Sequence, residues 1–163
     1  MTCTTGPDLV ALMEKAVEFS LRHVESGGLP FVGVLLNQDG YVSRYGVNEV
    51  ERTGDPTAHA EIVAMRSATR DRQTHDLRGT WLLATGEPCG LCYRFALDHH
   101  VERVYVAVAS ETVAEHGFDY RGSYPAFQID HSHLTGVVHQ LPVARGLEPF
   151  ERFTDLKLSR YRN

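Results

Sequence analysis

Near the start of the chain, apolar residues recur at helical spacing. Leu9, Leu12, Met13, Ala16, Val17, Phe19 and Leu21 form one stripe between Asp8 and Ser26. Asp8, following Pro7, is the expected N-cap, and Gly27-Gly28 the expected stop. The pattern then changes to short apolar runs. Phe31 to Asn37 and Tyr41 to Val47 read as two strands joined at Gln38-Asp39-Gly40. A polar loop, Asn48 to Asp55, precedes a helix from about Pro56 to Arg70, with Asp55 as N-cap and Pro56 at the first helical position. Thr80 to Thr85 reads as a buried strand, Pro88 to His99 as a helix and Arg103 to Ala109 as a strand. Ser110 is expected to cap a short helix ending at Gly117. Asp119 to His133 reads as a long irregular loop, of the kind that often carries function. Leu134 to Leu141 is a last strand and Gly146 to Arg160 a last helix. This order predicts an α/β fold: one domain over residues 1–163, with a mixed sheet and helices on both faces.

Composition narrows the function. The 163 residues are 42% hydrophobic and 23% charged, which excludes disordered and fibrous chains. No apolar run approaches the ~20 residues of a membrane-spanning helix. Met1 to Pro7 lacks the basic and apolar regions of a secretory signal, so a cytoplasmic protein is expected. Acidic residues outnumber basic ones by 21 to 16, for a net charge of −5. A nucleic-acid binder usually carries the opposite surplus, so a small-molecule partner is favoured. The cysteines are Cys3, Cys89 and Cys92. This is no disulfide framework; Cys3 reads as a bystander, and the close pair suggests metal ligation or redox chemistry.

Two segments carry the chemistry. His59-Ala60-Glu61 lies in the first turns of one predicted helix, and Pro88-Cys89-Gly90-Leu91-Cys92 opens the next. A Cys-x-x-Cys at a helix start directs two thiols toward one point, where the helix N-terminus lowers their pKa values. A neutral His59 completes a His-Cys-Cys set and leaves one tetrahedral position open, the arrangement of a catalytic zinc site. Glu61 follows His59 by two residues, roughly 200° around an ideal helix, which places it badly as a co-ligand. From the helix end it can instead move the proton of a water held at the open position. His-x-Glu followed by Pro-Cys-x-x-Cys is the zinc deaminase signature, with the glutamate as general acid/base.

The sequence resembles the cytidine deaminase-like superfamily, and within it the small guanine deaminase and nucleobase deaminase branch. The resemblance runs from about Met13 to Phe150. It is carried by Gly28-Leu29-Pro30-Phe31, Asn48, Asp55-Pro56-Thr57-Ala58-His59-Ala60-Glu61-Ile62, Glu87-Pro88-Cys89-Gly90-Leu91-Cys92, Gly117-Phe118-Asp119 and Leu147-Glu148-Pro149-Phe150. It implies a three-layer α-β-α sandwich with a five-stranded mixed sheet and Zn²⁺ at the sheet edge. It implies a hydrolase of C–N bonds in cyclic amidines that releases ammonia from a heteroaromatic amine. It also implies that Asn48 hydrogen-bonds the base, that Phe31 and the backbone beside Ala60 flank the ring, and that Asp119 and Tyr120 close the far edge. Members of this branch are typically homodimers, some exchanging C-terminal segments, and residues 146–163 occupy that position here.

The departures concern substrate. Guanine deaminases usually carry a second aspartate after Gly-Phe-Asp, where this chain has Tyr120, and a small pair after the second cysteine, where it has Tyr93-Arg94. A phenol both donates and accepts, which weakens selection of guanine's N–H groups. A tRNA adenosine-editing deaminase, a cytosine or cytidine deaminase, and a non-catalytic zinc-stabilised binding module stand as alternatives. The run Asp130-His131-Ser132-His133 reads as solvated loop, with a second metal at His131 and His133 as the rival reading.

Overall fold

The computed structural model describes residues 6–162, so Cys3 lies outside the described residues. The elements are α1 (Leu9–Glu25), β1 (Val32–Asn37), β2 (Gly46–Val47), α2 (Val50–Thr53), α3 (Ala60–Arg72), β3 (Thr80–Gly86) and α4 (Gly90–Asp98). Next come β4 (Arg103–Val108), α5 (Ser110–Glu115), α6 (Ser123–Ala126), a 3-10 turn (His131–His133), β5 (Val138–Gln140) and α7 (Glu148–Arg160). The strands form one sheet in the order β2-β1-β3-β4-β5. Strand β1 is antiparallel to both its neighbours, while β3, β4 and β5 run parallel.

Side chains alternate between two cores, as period-2 strands buried on both faces require. Leu35, Leu82, Val104 and Val106 join Ile62 and Met65 of α3 and Tyr93 and Ala96 of α4. Val34, Leu36, Trp81 and Leu83 join Met13 and Val17 of α1, Val113 of α5 and Phe150 of α7. The result is the α-β-α sandwich with its five-stranded mixed sheet. Within the chain, α7 lies against α1, and Arg152 pairs with Glu25 at 2.5 Å. Among the described residues no helix is long and apolar enough to cross a membrane.

Several boundaries differ from the sequence expectation, two of them because side chains take the hydrogen bonds of the backbone. Asp8 caps α1 as expected, accepting from Ala11 N–H at 3.0 Å. The strand expected over Tyr41–Val47 is only Gly46–Val47, plus an isolated bridge between Val42 and Leu36. Asn37 Oδ1 accepts from Asp39 and Tyr41 N–H, and Ser43 Oγ from Leu35 N–H, so side chains replace ladder partners there. Asp55 does not cap a helix at Pro56. Its carboxylate binds Thr57 and Arg66, and α3 begins at Ala60 with His59 in the cap position. Similarly, α4 begins at Gly90 with Cys89 as its cap, not at Pro88. Ala109 rather than Ser110 is the cap of α5. The expected 119–133 loop contains α6 and the 3-10 turn.

Candidate active site and metal centre

Two close approaches put the start of α3 onto the sheet. A Cβ at Gly33 of β1 would stand 2.9 Å from Glu61 Cα, and one at Gly46 of β2 would collide with the Ala60 carbonyl and Ala64 N. Only glycine lets the backbones come this near. The N-terminus of α3 therefore meets that of α4, which follows β3 at the same sheet edge.

There His59 Nδ1 lies 3.4 Å from Cys89 Sγ and 3.5 Å from Cys92 Sγ, and the two sulfurs are 3.7 Å apart. Zinc bonds of about 2.3 Å to sulfur and about 2.0 Å to nitrogen in a tetrahedron separate two sulfurs by about 3.8 Å and sulfur from nitrogen by about 3.5 Å. The donor set fits that ion. Among the described residues this is the only cluster of three such ligands. The expected alternative at His131 and His133 does not form. His131 Nε2 turns inward to Glu87 at 2.9 Å, while His133 is exposed beside Asp130.

The electrostatics suit a cation. The Cys89 thiol is lowered to about 4, first by a hydrogen bond from Cys92 and then by one with His59. Cys92 is pushed up by the same shared hydrogen bond and by burial. A metal bound by both sulfurs would displace the thiol proton. Glu61, only 4% exposed, is pushed up to about 7, first by burial and then by the Cys89 charge. Its Oε2 lies 3.3 Å from Cys92 Sγ. A carboxyl near that value, beside the triad, is matched to moving protons at neutral pH.

A cavity of about 180 Å³ opens at this point, lined by Leu29, Phe31, Asn48, Ala60, Phe118 and Tyr120 together with His59, Glu61, Glu87 and Cys89. Phe31 packs edge-on against Phe118, Phe150 and Tyr120, with ring centroids 5.1, 5.4 and 6.2 Å apart. Asn48 Oδ1 accepts from Val50 N–H at 3.1 Å, an orientation that leaves its amide donors free. The Tyr120 hydroxyl donates to the Glu87 carbonyl, so its ring forms wall and its proton is committed.

Of the residues named from sequence, His59, Glu61, Cys89, Phe31, Asn48, Ala60 and Tyr120 line this cavity, and Cys92 is buried beside it. Asp119 does not. It is exposed, held by Arg121 at 2.8 and 2.9 Å, and its carboxyl is lowered to about 2 by that partner. Three lining residues were not singled out from sequence. Leu29 and Phe118 stood within the quoted motifs, each directly after a glycine. Glu87 carried the clearest signal, a charge at the end of a strand buried throughout its length.

This fold with a His-Cys-Cys centre and a buried glutamate defines a deaminase. The chain belongs to the family of the cytidine and deoxycytidylate deaminase zinc-binding region, whose model matches residues 8–108. The guanine deaminase of Bacillus subtilis (strain 168) is 30% identical over 140 residues, covering 85% of this chain and 89% of that protein. The solved structure of a guanine deaminase from Bacillus subtilis superposes with a TM-score of 0.69 at 28% identity, covering 91% of this chain and 95% of that one. The tRNA-specific adenosine deaminase of Aquifex aeolicus is 35% identical over 92 residues, covering 56% of this chain and 60% of that protein.

Proposed function

We propose that this deaminase acts on a free nucleobase or related amino-heteroaromatic, replacing an exocyclic amine by a carbonyl with release of ammonia. The observation that carries this reading is the buried Glu61 carboxyl beside the open face of the triad, facing a small aromatic cavity. The guanine deaminase relative, which shares most of its length with this chain, supports the base class.

His59, Cys89 and Cys92 would hold the zinc ion. When bound, the ion supplies Lewis acidity that brings the pKa of a water toward neutrality. Glu61 accepts one proton of the attacking water and delivers it to the ring nitrogen; it then carries the remaining hydroxyl proton to the amine, which leaves as ammonia as the C–N bond breaks and the carbonyl forms. Phe31, Phe118 and Tyr120 enclose the ring and exclude bulk water. Asn48 offers amide donors to acceptors on the ring edge. The reading includes a homodimer, on the likeness to guanine deaminases, and a cytoplasmic location, where the free thiols of Cys89 and Cys92 stay reduced.

Ammonia release from zinc-loaded protein, measured across purines, pyrimidines, their nucleosides, pterins and triazines, tests the proposal. Turnover of at least one free base is expected. No release from any of them removes it. Activity on tRNA alone transfers the assignment to the editing deaminases, against which the net charge of −5 argues.

A further inference from the structure

The loop that carries Cys89 is fastened, residue by residue, to a single stretch of chain. The Glu87 carbonyl accepts from the Tyr120 hydroxyl, and the Pro88 carbonyl accepts from the Tyr124 hydroxyl at 2.9 Å. Gly90 N–H donates to Ser123 Oγ at 2.8 Å. A Cβ at Gly90 would collide with the Ser123 carbonyl, so the contact is close as well as hydrogen-bonded. The buried Glu87 carboxylate accepts from His131 Nε2 at 2.9 Å, from Tyr93 at 3.0 Å and from Ser110 N–H at 2.7 Å. Arg94 of α4 closes the arrangement by donating to the carbonyls of Phe127 and Gln128 at 3.0–3.2 Å.

The Glu87 carboxylate thus takes three donors, all from outside the triad. Four residues from 120 to 131 grip Glu87, Pro88 and Gly90, which lie within two positions of Cys89. We infer that Tyr120, Ser123, Tyr124 and His131 are positioning residues for the Cys89 thiolate, so that one segment sets both the aromatic wall of the cavity and the placement of a metal ligand. Loops leave a main-chain carbonyl free to rotate unless something holds it. Here phenol hydroxyls hold two consecutive carbonyls immediately before the ligand. Outer partners of this kind lower the cost of ordering a site and tune metal affinity.

The inference rests on the triad as a zinc site, not on the identity of the substrate. Its test is the rate at which the full-length, zinc-loaded protein loses zinc to a chromogenic chelator, with no base present. Tyr124→Phe and Tyr120→Phe keep the rings and remove only the hydroxyls. Each is expected to speed zinc loss about 5- to 10-fold, the equivalent of one net hydrogen bond. Each is also expected to move the visible absorption band of the cobalt(II)-substituted protein, although Tyr124 lines no part of the cavity. His131→Gln, altering a partly exposed side chain, serves if either tyrosine variant fails to fold, and the same acceleration is expected. His133→Ala, in the same segment but with an exposed side chain 3.8 Å from the Asp130 carboxylate, is expected to leave both readouts unchanged. Wild-type zinc loss and an unmoved cobalt band in the folded variants, even with a lowered Tm, would overturn the inference. So would an equal acceleration in His133→Ala. Because no turnover is read, failure here leaves the deaminase proposal standing, and absence of turnover leaves this inference standing.

Discussion

Replacing Gly33 with alanine tests whether the close approach of α3 to the sheet sets the chemistry. The new Cβ would lie 2.9 Å from Glu61 Cα, 3.2 Å from the Ala60 carbonyl oxygen and 3.3 Å from Glu61 N, all backbone atoms. Carbon atoms pack comfortably at about 3.5–4.0 Å, so the two backbones must separate by about 0.6–1.1 Å. Strand β1 is the less able to move. Gly33 is paired with Gly46 on one side and Ala84 on the other. The start of α3 therefore gives way, carrying Glu61 and His59 with it. Overpacking of this size costs about 1–3 kcal/mol. Loss of glycine's freedom in the unfolded chain offsets about 0.4–1 kcal/mol. At about 2–4 °C per kcal/mol for a domain of this size, Tm is expected to fall by a few degrees. The effect on turnover is larger, since a displacement near 1 Å at reacting groups costs about 100-fold. Differential scanning calorimetry and kcat for whichever base proves to be the substrate give the two numbers. An unchanged or raised Tm with wild-type kcat would refute the reasoning, because it would mean the contact relaxes without moving Glu61.

Glu61→Gln is expected to lower kcat by about 100- to 10,000-fold while the protein keeps its zinc, measured by metal analysis and ammonia release; comparable turnover would remove Glu61 as the proton carrier. Tyr120→Asp gives up the bond to the Glu87 carbonyl and leaves a shorter carboxylate at the cavity wall, and at equal zinc content it is expected to raise kcat/KM for guanine relative to other bases by about 10-fold or more, the value of a charge-assisted hydrogen bond. An unchanged or lowered guanine preference would show that position 120 does not read the base. Asp55, lowered to about 2 chiefly by its hydrogen bonds to Thr57, stabilises the folded chain above its ordinary value near 3.8 and loses that contribution as pH falls toward 2. The Tm difference between wild type and Asp55→Asn is therefore expected to be present at pH 5–7 and to shrink below pH 4; a constant difference would place the effect elsewhere.

The sequence by itself determined most of the longer elements and the candidate metal ligands. A helical stripe, a two-residue alternation and a cap depend on neighbours a few positions away, so α1, β1, β3, β4 and α7 were legible within a residue or two. The ligand set was legible for the same reason: Cys89 and Cys92 converge through one helical turn, and His59 precedes Glu61 on another. Tertiary structure decided what lies between those anchors. Whether Tyr41 to Val47 continued its ladder depended on Asn37 and Ser43 taking the hydrogen bonds first. Whether Asp119 or Tyr120 faced the cavity depended on Arg121 holding one outward and the Glu87 carbonyl holding the other inward. Glu87 read as one letter of a motif until the fold surrounded it with Tyr93, Ser110 and His131, which lie 6 to 44 positions further along the chain. No local pattern encodes such a meeting, because its donors acquire a common address only when the sheet and both helical layers have closed around it.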